Sequence, residues 1–213
     1  MELQRQQTRA AETFDIDVNR ANKYEPYVGK IISQFDGYDA LQGNGRVLGL
    51  LANGKEAHNA PAGTKVEVIL DRTTFYPEGG GQAGDSGFLT HPTGTISIHD
   101  TNRPIGDLIV HHGEVLSGAI EIGSDVITEV EPDARHAAAC NHTATHLLHA
   151  ALRQILGTHI RQAGSLVTAE RLRFDYTADT APSELDLSHV EELVNQKIRE
   201  NLSVNKHETS YGT

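Results

Sequence analysis

Between Tyr24 and Gly123 the chain carries 17 of its 20 glycines and 5 of its 7 prolines. Helix-breaking residues at this density leave only short regular segments. The apolar runs they separate, VGKII, RVLGLL, KVEVIL and GTISI, have the length of strands. Antiparallel strands joined by tight turns bury such runs together, so this stretch predicts a small β-barrel or sandwich. Asn53-Gly54, just after RVLGLL, marks one turn, because a two-residue hairpin needs positive φ at both central positions.

Beyond Gly123 the punctuation thins. DVITEVE alternates from Asp125 as a strand does, and Pro132 then opens a helix that runs to Gly157, with Glu131 and Asp133 against the positive end of its dipole. A β-ribbon follows, SLV and RLRFDY around TAER. A second helix is expected from Ser188, with Ser188 and Glu191 as a capping box and Val190, Leu193, Val194 and Ile198 as its buried stripe. The opening MELQRQQTRAAET combines helix formers with no apolar stripe and predicts a solvated linker helix. The expected organisation is α+β: a linker helix over 1–20, a β-barrel domain over 21–124, and an α+β core over 125–213, with a cleft between barrel and core.

Composition excludes several classes. With 213 residues, 38% of them hydrophobic, the chain can bury a sizeable core. No apolar run approaches the roughly 20 residues of a membrane span, and Met1 to Asp15 are polar where a signal peptide is greasy, so a cytoplasmic protein without a membrane partner is expected. The single cysteine, Cys140, cannot form an internal disulfide. A net charge of -11, from 18 basic and 29 acidic residues, offers no footprint for autonomous polyanion binding. DNA is not an expected partner, and an RNA substrate would need further domains to hold it.

Two stretches carry chemistry. In CNHTATHLLHAALRQILG, His142, His146 and His149 fall within a sector of roughly 60°, with Leu147, Leu148, Ala151, Leu152 and Ile155 centred nearly opposite. An i, i+4 histidine pair can present two ring nitrogens to one divalent ion, although a polar helix face carries solvated histidines equally well. Thr143, Ala144 and Thr145 stand where a zinc protease carries its glutamate, which disfavours peptide hydrolysis. The second stretch is DRTTFYPEGGGQAGDSG. Its three glycines allow close backbone approach, but without G-K-[ST] it is no nucleotide P-loop. Thr73, Thr74 and Gln82 bracket the bend as candidates to project into a cleft.

Taken together, HTATHLLHAALRQILG, the following HIRQAGSLVTAERLRFDY and the upstream TTFYPEGGGQAGDSG closely resemble the editing region of alanyl-tRNA synthetase and its free-standing relatives, the AlaX deacylases. The three blocks stand in the family's order across nearly the whole chain, and MELQRQQTRA is similar to the synthetase's helical connection into that region. The resemblance implies a β-barrel joined to an α+β core, and hydrolysis of the ester on tRNA(Ala) mischarged with serine or glycine. It implies His142 and His146 as zinc ligands and Gln82 as the glutamine closing the glycine-rich motif. The family completes its zinc site with a downstream C-x-x-x-H pair, whereas this sequence ends at Tyr211-Gly212-Thr213. Cys140 lies about 150° around its helix from the histidine pair.

The expectation is therefore a fragment of the ligase with half a zinc site, zinc absent or weakly bound, and impaired deacylation. Its partners would be tRNA(Ala) charged with serine or glycine and the other domains of the synthetase. A site that hydrogen-bonds the serine hydroxyl rejects alanine by leaving its own polar group unpaired, and Thr73, Thr74 or Gln82 are the expected groups. Arg161, Arg171 and Arg173 are expected on the wet face of the ribbon. Two rival readings stand beside this one: a catalytically silent scaffold without metal, and an unrelated histidine-rich zinc hydrolase.

Overall fold

The computed structural model describes residues 23–203. The linker helix expected over 1–20 lies outside the described residues.

Six antiparallel strands close into a barrel: β1 (Gln42–Ala52), β2 (Lys65–Leu70), β3 (Gly87–His91), β4 (Gly94–Ile105), β5 (Leu108–Glu121) and β6 (Asp125–Val130). The order around it is β6-β3-β4-β5-β2-β1, and β6 also pairs with β1, so that Asp125 faces Arg46 and Glu129 faces Gln42. Closure removes the sheet edges that would otherwise template aggregation. Side chains on alternate positions fill the interior, among them Val47, Leu50, Val68, Leu89, Ile96 and Val126. Tyr24 and Tyr27 cap a second cluster on the outer face, over Leu51, Ile69 and Val110. The expected hairpin is present, with Asn53 and Gly54 both at positive φ between β1 and the short strand Lys55–Glu56.

The barrel does not end where the sequence suggested. Asp125–Val130, expected to open the α+β core, is hydrogen-bonded to barrel strands on both sides, and its burial alternates with Val126, Thr128 and Val130 inward. Sequence proximity to the helix drew the boundary too early; pairing assigns the strand to the barrel.

Helix α1 (Pro132–Leu156) follows at once, then the ribbon β7 (Arg161–Val167) and β8 (Leu172–Thr177), and helix α2 (Glu184–Glu200). Ala151, Leu152, Ile160 and Val190 form their common core, with Leu148, Phe174, Tyr176, Leu193 and Val194 packed against it. Two expectations for α2 are corrected. Its capping box is Ser183 with Asp186 rather than Ser188 with Glu191, which lie one turn inside the helix. Ile198 is 54% exposed, because the α1 surface that buries Val190 does not extend that far.

Barrel and core are stitched through the glycine bend. Val167 N–H donates to Gly81 O (2.7 Å) and Ala83 N–H donates to Val167 O (2.9 Å), so β7 runs alongside the bend as a short parallel bridge. Asn141 of α1 adds a side-chain bond to Thr168 O at 2.8 Å. Among the described residues, no helix is long and apolar enough to cross a membrane.

Candidate functional site

A cavity of about 790 Å³ lies where barrel and α1 meet, and Gln82, His142 and His146 all line it. Gln82 is 6% exposed, set by the tight turn in which Gly79 and Gln82 exchange backbone hydrogen bonds. Its side-chain oxygen accepts from His142 Nδ1 at 2.6 Å. With the hydrogen on Nδ1, the lone pair of His142 resides on Nε2, the tautomer that serves a metal or a proton acceptor. The rings of His142 and His146 stack with centroids 5.0 Å apart and planes inclined by 27°.

The bend can pass this close to β7 only as glycine. Gly81 has φ of +82°, and a Cβ there would lie 2.2 Å from Ser165 Oγ and 2.8 Å from Ser165 O. The three-glycine stretch thus serves the junction that delivers Gln82 to the helix.

The third histidine of the face goes elsewhere. His149 does not line this cavity; its ring packs on Phe174 of the ribbon with centroids 5.1 Å apart. Thr73 and Thr74 are a further correction. Both are 2% exposed. Thr73 Oγ1 bonds His111 Nε2 (2.8 Å) and accepts from Phe75 N–H (3.1 Å), while Thr74 Oγ1 bonds Thr128 Oγ1 at 2.9 Å. Neighbouring residues of one strand face opposite sides, so alternation cannot bring both inward. Thr74 lies just past the short strand Arg72–Thr73, and the two hydroxyls are taken up inside the barrel by His111 and Thr128, so neither lines the cavity.

Sequence reasoning missed the fastening of the site. Arg135, in the first turn of α1, forms an ion pair with Asp85 of the glycine motif, with Nε donating to Oδ2 at 2.8 Å; the two side chains are 16% and 5% exposed. The remaining guanidinium nitrogens donate to Gly37 O and Thr74 O, each at 2.7 Å, and Asp85 also accepts from Tyr76 N–H. One side chain therefore holds three segments around the cavity. A lone arginine at a helix start gives no sequence signal of this; Asp85, within the glycine motif, was the available hint. Tyr76 donates its hydroxyl to Gly79 O at 3.2 Å, and burial raises its pKa, which keeps it a neutral donor.

Two imidazoles are half of a tetrahedral zinc shell. Among the described residues, no group of three or more His, Cys, Asp or Glu side chains is arranged to hold a metal ion.

The model of the tRNA synthetases class II (A) family matches residues 1–134. The chain is 46% identical over 215 residues to the alanine–tRNA ligase of Pelotomaculum thermopropionicum, an alignment covering 99% of this chain and 24% of the relative. It is 41% identical over 204 residues to that of Pseudomonas entomophila, covering 96% and 23%. For Pseudomonas syringae pv. tomato the figures are 42% over 213 residues, 100% and 24%. The chain thus spans about a quarter of the length of these relatives. With more than half of its residues inside the matched model, the chain belongs to the class II (A) tRNA synthetase family.

Proposed function

We propose that this chain is the editing region of an alanine–tRNA ligase, hydrolysing the ester of tRNA(Ala) mischarged with serine or glycine. The supporting observation is the Gln82–His142 hydrogen bond, which unites the glycine motif and the histidine pair in one cavity across 60 residues of sequence. An aminoacyl ester is already activated, so its hydrolysis requires a positioned water and stabilisation of the developing oxyanion rather than a strong nucleophile. Gln82 holds the His142 ring in one tautomer and orientation. With its oxygen engaged by His142, Gln82 retains its amide nitrogen as a donor for the substrate, either the serine hydroxyl or the carbonyl oxygen. After the withdrawal of both threonines into the barrel, Gln82 is the remaining candidate for discriminating serine from alanine.

The His142/His146 pair fits zinc as two of its ligands, and the other donors would have to come from outside the described residues. Zinc bound there would supply Lewis acidity and a fixed point for the substrate. Two neutral imidazoles alone hold it weakly. The tRNA body would be held by other parts of the ligase, since a net charge of -11 gives this chain little general attraction for a polyanion.

The test is single-turnover deacylation of Ser-tRNA(Ala) and Gly-tRNA(Ala) by a full-length alanine–tRNA ligase carrying this chain in place of its own matching quarter. Both esters should be cut while Ala-tRNA(Ala) survives. Gln82→Ala should slow the reaction by roughly a hundredfold, typical of losing one polarising donor, with an unfolding free energy within about 1 kcal/mol of the parent. Equal losses of stability and rate would make Gln82 a structural residue, and no hydrolysis by the parent would refute the editing reading.

A further inference from the structure

The cavity wall facing the histidine helix is aromatic. Phe35 makes edge-to-face contacts with Tyr38 and Tyr76, with ring centroids 5.0 and 5.9 Å apart, and all three line the same cavity as His142 and His146. Phe35 and Tyr76 are half-buried, whereas Tyr38 is 70% exposed. The turn that carries it is nevertheless fastened on its N-terminal side. Asp36 N–H donates to Thr73 O at 2.9 Å, and Gly37 O accepts from Arg135, itself locked by Asp85. With the preceding backbone tied down, the chain spends less ordering entropy in presenting this ring, which leans edge-on against Phe35 and faces the cavity.

We propose that Tyr38 is the stacking platform for the 3′-terminal adenine of the tRNA substrate. This rests on the editing reading above. The scissile ester is carried on the terminal ribose, and the adenine is attached to that same sugar a few ångströms away. With the ester at Gln82 and the histidine pair, the base falls within the same cavity, where Tyr38 presents an exposed phenol ring on the barrel side and His136 an exposed imidazole on the helix side; the larger, uncharged phenol is the better stacking face. Stacking also suits the electrostatics: a chain of net charge -11 gains little from phosphate contacts, whereas a base face binds an aromatic ring without positive charge.

The chain contains no tryptophan, so Tyr38→Trp introduces a unique fluorophore at the proposed platform. Its emission would be titrated with 3′-serylamido-3′-deoxyadenosine, a non-hydrolysable mimic of the terminus, and with the same compound lacking the base. Saturable quenching by the first and none by the second is expected. Calorimetry on the Tyr38→Ala chain should show affinity for the adenosine compound weakened roughly five- to a hundredfold, the range of one lost stack, and Tyr38→Phe should restore most of it. Absent quenching, equal quenching by both compounds, or unchanged affinity in Tyr38→Ala overturns the platform. Deacylation of Ser-tRNA(Ala) is read in parallel with the ligase carrying this chain: base-dependent quenching without deacylation supports the platform and refutes the editing reading, and deacylation without quenching does the reverse.

Discussion

His111 shows how much a single interior residue can weigh. It is fully buried, with Nδ1 donating to Val68 O (3.0 Å) and Nε2 accepting from Thr73, and its ring meets Phe75 edge-on. Burial pushes its pKa down from 6.5 to about 4, against the smaller opposing effect of the Val68 bond. Between those values the unfolded chain takes up a proton that the folded chain refuses. Its contribution is therefore complete above about pH 6.5 and is lost as the pH falls toward 4. Urea unfolding at pH 7 and pH 4.5 should show the parent losing about 2–3 kcal/mol more than His111→Gln, which cannot titrate. Parallel losses in the two proteins would show that His111 is not the sensitive group. Thr73 belongs to the same unit, which is why it is unavailable to the cavity.

The element that decides the geometry of the site is α1, and its first turn matters more than its histidines. Arg135 ties α1 to the glycine motif through Asp85 and to two further segments through Gly37 O and Thr74 O. Asp85→Ala leaves a half-buried guanidinium without its carboxylate and should cost about 2–4 kcal/mol, somewhat below a fully buried pair, measured by denaturant unfolding. A loss below about 1 kcal/mol would mean that the carbonyl contacts suffice. The histidine face and the apolar stripe of α1 follow from helical spacing, but that spacing is silent on depth along the axis. His142 meets Gln82 of the glycine bend and His146 lines the same cavity, whereas His149, one turn on, meets the ribbon and Phe174. In α2, Ser188 with Glu191 satisfied the capping pattern as well as Ser183 with Asp186 did, and the fold used the earlier pair, just after Pro182.

For the whole molecule, the decisive feature is the junction between the closed barrel and the α+β core, carried by Gly81, Ala83 and Val167. Gly81→Ala combines an unfavourable φ with a collision against Ser165 and should destabilise by more than about 1 kcal/mol. Gly80→Ala, at φ +61° with nothing within 4 Å of its Cβ, is the control for strain alone. Hydrogen exchange should speed up at the Ala83 and Val167 amides in Gly81→Ala while β1 and β2 stay protected. Identical exchange in the two variants would show that the bend does not bind the lobes together.

The α+β class, the strand-rich middle, the Asn53-Gly54 hairpin and the shared helix face of His142 and His146 are legible without any fold. Each is set by local backbone preference or by a fixed periodicity, and so is written in neighbouring residues. Tertiary structure alone decided that Asp125–Val130 closes the barrel, that Thr73 and Thr74 turn inward, and that Gln82 reaches His142. Strand pairing partners, the inward face of a strand and the depth of a helix against its neighbour depend on residues distant in the chain. Alternation gives the two faces of a strand but not which of them meets the core until the barrel has closed.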